Sequence, residues 1–139
     1  MDERVIICRC RGAIRNAEAW KVGRWDWRWL SGALTDGVSV ADIDAVIERG
    51  GSFLFIETKA LGVVIERGQL LLLQRLARNP RHTVVILRGQ LDEPEWMEIV
   101  GQHGRVPTSR DEFWTFVANW WTSVTRLEKT EGHHPGFGR

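Results

Sequence analysis

The feature that most constrains this chain is a glycine pair set between two apolar runs. Residues 40–48 (VADIDAVIE) alternate over most of their length, and residues 52–58 (SFLFIET) are β-branched and aromatic. Both patterns belong to strands. Between them lie Gly50 and Gly51. Gly-Gly favours two-residue hairpin turns because both positions tolerate positive φ. The spacing predicts a β-hairpin that pairs residues whose numbers sum to 101. In that register Asp44 faces Glu57 and Asp42 faces Lys59, and alternation puts all four on one face.

Directly opposed side chains have Cβ atoms about 4.5–5.5 Å apart. Two carboxylates so placed repel unless a cation lies between them. Oxygen ligands alone suit Mg2+ or Mn2+, and Mg2+ keeps several waters and pairs with substrate phosphates. Lys59 then stands beside the ion. The plainer alternative is a solvated face, with Ile43, Ala45, Ile47, Leu54, Ile56 and Thr58 turned inward. Against it, Val46, Phe53 and Phe55 share the face of the acids. The next segment, residues 67–91, carries Arg67, Arg75, Arg78, Arg81 and Arg88 and no acid. That suits an anionic polymer meeting this end of the hairpin. The net charge is only +1, which excludes a globally basic nucleic-acid binder but not a local basic surface.

Elsewhere the punctuation is plain. Residues 4–10 read as a short strand or extended arm, 14–22 as a helix and 24–30 as an extended segment. In the last of these, Trp25, Trp27 and Trp29 alternate with Asp26 and Arg28. Such a row reads as core or as a partner-facing surface rather than a base-stacking platform, which needs exposed rings in a basic groove. Residues 67–78 form an apolar helix ended by Asn79-Pro80. Residues 82–89 and 95–101 read as strands. Ser109 and Glu112 make a capping box opening a helix through about 126, with Phe113, Phe116, Val117, Trp120 and Trp121 at core-facing spacing. A chain of 139 residues suits one domain, here 1–130, followed by a flexible tail at 131–139. No apolar run approaches the roughly 18 residues of a membrane span, and the acids at the start are unlike a signal peptide. The expectation is a cytoplasmic protein with no membrane partner. Cys8 and Cys10 read as reduced thiols on a strand; zinc needs two more ligands, such as His133 and His134 in the tail.

Asp44, twelve intervening residues, Glu57-Thr58-Lys59 and then Gln69 at the opening of the helix resemble the PD-(D/E)XK nuclease superfamily, especially its small phage-type and RecB-like members. The likeness covers residues 42–90 best. It implies an α/β, restriction-endonuclease-like core, a mixed central sheet flanked by helices in the order α-β-β-β-α-β. It implies a Mg2+- or Mn2+-dependent deoxyribonuclease, structure-selective or non-specific. Such an enzyme serves phage recombination, repair or Holliday-junction resolution, in the host cytoplasm if phage-encoded. Carried over residue by residue, Asp44, Glu57 and the main-chain carbonyl of Thr58 hold the metal. Asp42 takes the place of Asp44 if the turn is longer or bulged, and Glu18 is a further candidate ligand. Lys59 orients or deprotonates the attacking water or offsets charge on the phosphorane. Gln69 orients Lys59 or contacts the phosphate. Arg67, Arg75 and Arg78 grip the backbone of branched or single-stranded DNA without reading sequence. A homodimer suits a junction cutter. Two alternatives stand beside this: a non-catalytic nuclease-fold module that binds DNA or a protein partner, and a small structural α/β domain.

Overall fold

A computed structural model describes residues 7–8, 12–13, 25–34, 36 and 38–132. Its elements follow in the order β1 (Ile7–Cys8), β2 (Gly12–Ala13), a 3-10 helix (Trp27–Leu30), β3 (Ala45–Arg49), β4 (Ser52–Lys59), α1 (Arg67–Leu76), β5 (His82–Gln90), β6 (Glu93–Ile99), β7 (Val106–Pro107) and α2 (Arg110–Glu131). Contacts divide the chain into two compact units, Met1–Val40 and Ala41–Arg139.

The second unit is α/β. One sheet runs in the order β3-β4-β5-β6-β7. β4 and β5 are parallel, joined through α1, and the other neighbours are antiparallel. The glycine turn forms in the expected register, from Arg49 opposite Ser52 to Ala45 opposite Ile56. Gly50 and Gly51 have φ of 56° and 80°, the left-handed pair that a tight hairpin needs. A second constraint acts at Gly89, where a Cβ would lie 2.2 Å from the Glu93 carbonyl oxygen. The ladder shifts there, and Pro94 faces Gly89. A bulge tolerates the missing proline amide.

β4 and β5 are covered on both faces, which explains their near-continuous apolar sequences. On one face Leu54, Ile56 and Val85 pack with Ile47, Leu87, Met97, Ile99 and the α2 residues Phe113, Phe116, Val117 and Trp120. On the other, Val84 and Ile86 pack with Leu73 of α1, Phe55, Ile65, Leu76, Ala77 and Val100. Each fully buried side chain of this size contributes roughly 1.5–3 kcal/mol.

Several sequence boundaries move, each for a local reason. The strand expected over 40–48 begins at Ala45, because the Asp44 side chain takes over the next amide of β4. The helix expected to reach 78 ends at Leu76, ahead of Pro80. The helix expected to stop near 126 continues to Glu131. Arg49 Nε donates to Glu128 at 2.5 Å and Arg81 pairs with Glu131, tying down its last turn. Trp121 was expected in the core but is 40% exposed, with the Arg49 guanidinium 4.9 Å above its ring. The tail expected from 131 gives up Glu131 and Gly132 to the helix and its cap; 133–139, with His133 and His134, lie outside the described residues.

In the first unit β1 pairs antiparallel with β2, Ile7 opposite Ala13 and Cys8 opposite Gly12. The helix expected over 14–22 and Cys10 lie outside the described residues. The extended segment expected at 24–30 is instead a 3-10 turn from Trp27. Asp26 caps it, accepting from the Arg28 amide at 3.1 Å. That side-chain bond offers the backbone an alternative to a strand and overrides the alternation. Trp25, Trp27 and Trp29 are all exposed. The Arg28 guanidinium beside Asp26 holds its carboxyl down at about 2. Among the described residues no helix is long and apolar enough to cross a membrane.

Candidate active site at the carboxyl end of the parallel strands

Open α/β sheets bind ligands beyond the carboxyl ends of their parallel strands. Here that edge belongs to β4 and β5. β4 ends in Glu57-Thr58-Lys59, so Glu57 and Lys59 project from the face that α1 covers, two residues beyond Phe55. The parallel register sets Arg88 beside Lys59 and Ile86 beside Glu57. Gln69 is the third residue of α1, and the loop over 60–66 returns that helix start to the strand end.

Glu57 is 4% exposed. Its Oε1 accepts from Gln69 Nε2 at 2.6 Å and lies 3.2 Å from Lys59 Nζ. Burying a carboxylate is costly unless it is paired and hydrogen-bonded, and Gln69 and Lys59 supply those partners. Arg88 is also buried, at 8% exposure. Its Nη1 donates to the Val63 carbonyl at 2.5 Å, and its buried Nε has no acceptor. Glu98 shares this face, opposite Ile86 on β6.

Asp44 is arranged differently from the expectation. The β3–β4 ladder ends at Ala45–Ile56, one pair short of joining Asp44 to Glu57. Asp44 Oδ2 instead accepts from the Thr58 amide at 2.8 Å and the Thr58 hydroxyl at 2.6 Å. By alternation the Thr58 side chain points away from the face of Glu57 and Lys59. The Asp44 carboxylate thus ends the ladder, satisfying an amide that a backbone carbonyl would otherwise have met. Asp42 lies in the exposed segment before β3 and does not pair with Lys59. Glu18 lies outside the described residues.

Arg67 and Arg75 are exposed on α1, and Arg78 is exposed just beyond it. Arg81 is engaged elsewhere: it pairs with Glu131, which raises its pKa, and its Nη1 donates to the Gly50 carbonyl at 2.9 Å. Arg88 and Glu98 join this face without any signal in their own sequence neighbourhood. Only the β4–β5 register and the β6 return bring them there, and no local spacing carries that information.

Among the described residues no group of three His, Cys, Asp or Glu side chains gathers to hold a metal. Of the expected carboxylate ligands, Glu57 lies on the α1 face, whereas Asp44 is bonded to Thr58, whose side chain lies on the other. Oxygen donors of this kind suit Mg2+, which takes one or two carboxylates and completes its shell with water and substrate oxygens. Comparison with protein-family models, curated proteins and solved structures finds no match.

Proposed function

We propose that the chain is a metal-dependent nuclease of the PD-(D/E)XK type, with a restriction-endonuclease-like core, hydrolysing phosphodiester bonds of branched or single-stranded DNA. The observation that carries the reading is the buried Glu57 carboxylate held between Gln69 and Lys59 at the carboxyl end of β4. The succession β3, β4, α1, β5 supports it, matching the hairpin, helix and strand of that order; two strands rather than three precede the helix in this unit.

Glu57, Asp44 and the Thr58 carbonyl are the groups that would hold Mg2+ or Mn2+. The chemistry such an ion supplies is Lewis-acid polarisation of a phosphoryl oxygen and acidification of water. Gln69 fixes the Glu57 carboxyl. Lys59, with its side chain 23% exposed, sets an ammonium where negative charge grows on the phosphoryl group. Arg67, Arg75 and Arg78 offer exposed cations for backbone contacts. We place this activity in DNA recombination or repair in the cytoplasm, with a homodimer as the form suited to junctions.

One observation favours a second reading, a nuclease-fold module that binds DNA or a protein without cutting it: the Asp44 carboxylate is bonded to Thr58 rather than turned toward Glu57. Incubation with supercoiled plasmid, single-stranded DNA and a four-way junction in Mg2+ or Mn2+ separates the two. The enzyme reading expects cleavage, slowed by Lys59→Ala on the order of 10²–10⁴-fold. Binding without cleavage in either ion selects the second reading.

A further inference from the structure

We propose that Arg88 is the phosphate-gripping residue of this site, taking the non-bridging oxygens of a nucleic-acid phosphodiester on its Nε and Nη2. The proposal deepens the nuclease reading and rests on it for the ligand's identity. Three observations carry it. First, Arg88 is buried, at 8% exposure, yet among the described residues no carboxylate pairs with it. A buried cation without a counter-charge is strongly disfavoured unless something anionic completes it.

Second, the guanidinium is used on one side only. Nη1 is fixed by the Val63 carbonyl, Nε is buried without an acceptor, and Nη2 makes no hydrogen bond among the described residues. Nε and Nη2 form the side edge of the guanidinium, the fork that grips two oxygens of a phosphate or carboxylate at once. Binding by that edge leaves the Val63 bond intact.

Third, the neighbours suit a phosphodiester. Lys59 is beside Arg88 in the parallel register. Glu57 already holds Lys59, and Glu98 stands opposite Ile86 without bonding Arg88. The two cations face the end of β4 that carries the Glu57 carboxyl, so a phosphate on Arg88 lies next to the groups assigned to hydrolysis.

The test follows the Arg88 Nε–Hε resonance in the full chain, identified by its loss in Arg88→Lys. It is titrated with inorganic phosphate and with a ten-nucleotide single strand. Both probes are expected to shift that resonance. Arg88→Met removes the response, weakens oligonucleotide binding about tenfold or more, and lowers the slope of log K against log salt by about 0.7, one phosphate contact on a single strand. A purely structural role for Arg88 leaves the salt slope unchanged. An unmoved Nε–Hε signal with both probes, or an unchanged slope in a folded Arg88→Met protein, overturns the proposal. A shift with phosphate alone assigns a free-anion site and overturns the nucleic-acid assignment. Cleavage without an Arg88 response leaves the nuclease reading standing and removes this one; an Arg88 response in a chain that never cuts does the reverse.

Discussion

Removing either member of the Glu57–Lys59 pair should not cost the same, and the asymmetry can be worked from burial. The Glu57 side chain is 6% exposed and that of Lys59 23%. In Lys59→Met the carboxylate stays buried with Gln69 as its remaining hydrogen-bond donor. Breaking a buried pair from one side costs about 3–5 kcal/mol when nothing else compensates. With Gln69 in place and partial access to water, about 2–3 kcal/mol is expected here. In Glu57→Gln the new amide still accepts from Gln69, and the partly exposed ammonium turns to water, so the loss should stay below about 1 kcal/mol. The double variant should lie close to Glu57→Gln, giving a coupling of about 2 kcal/mol. Urea unfolding by linear extrapolation at matched m-values measures all four corners of the cycle. Equal losses in the two single variants, or a coupling near zero, would refute the claim that Lys59 compensates a buried charge.

Other outcomes follow from the same structure. Leu54→Ala, at a position with 0% exposure between β3, β5 and α2, should cost about 2–5 kcal/mol in the same assay. Gly50→Ala puts a side chain at φ 56° and 3.0 Å from the Glu128 Cγ, so a loss of more than about 1 kcal/mol is expected; a neutral result would contradict the hairpin geometry. Asp26 has its pKa lowered from 3.8 to about 2 by Arg28. Whatever the pair contributes is therefore present above 3.8 and disappears as the pH falls through about 2. Carboxyl carbon shifts should show Asp26 still ionised at pH 3, and a midpoint near 3.8 would dissolve the Asp26–Arg28 bond.

The hairpin was legible because Gly-Gly fixes both turn and register locally, and the apolar runs flanking it needed no tertiary information. The same held for the start of α2, where Ser109 caps the helix as expected, its Oγ accepting from Glu112 N at 3.2 Å. What failed was competition from short polar side chains. Asp26 and Asp44 each bond a nearby amide and replace backbone pairing that alternation alone predicts. Part of the candidate site was readable for the same local reasons, since Glu57 and Lys59 share a face by period two; Gln69 was expected to orient Lys59 or contact the phosphate, and instead donates to Glu57. Arg88 was not readable, since its approach to Lys59 depends on β5 lying parallel to β4, a long-range choice made by packing on both faces of the sheet.

The most direct test of the hydrolytic assignment compares plasmid and junction cleavage by the wild-type chain and Glu57→Gln in Mn2+, with folding of both verified by urea unfolding. The account predicts cutting by the wild type and its loss, by on the order of 10²-fold or more, in an equally folded Glu57→Gln. A variant that cuts as fast as the wild type, or a wild type that cuts no nucleic acid in either ion, would contradict it.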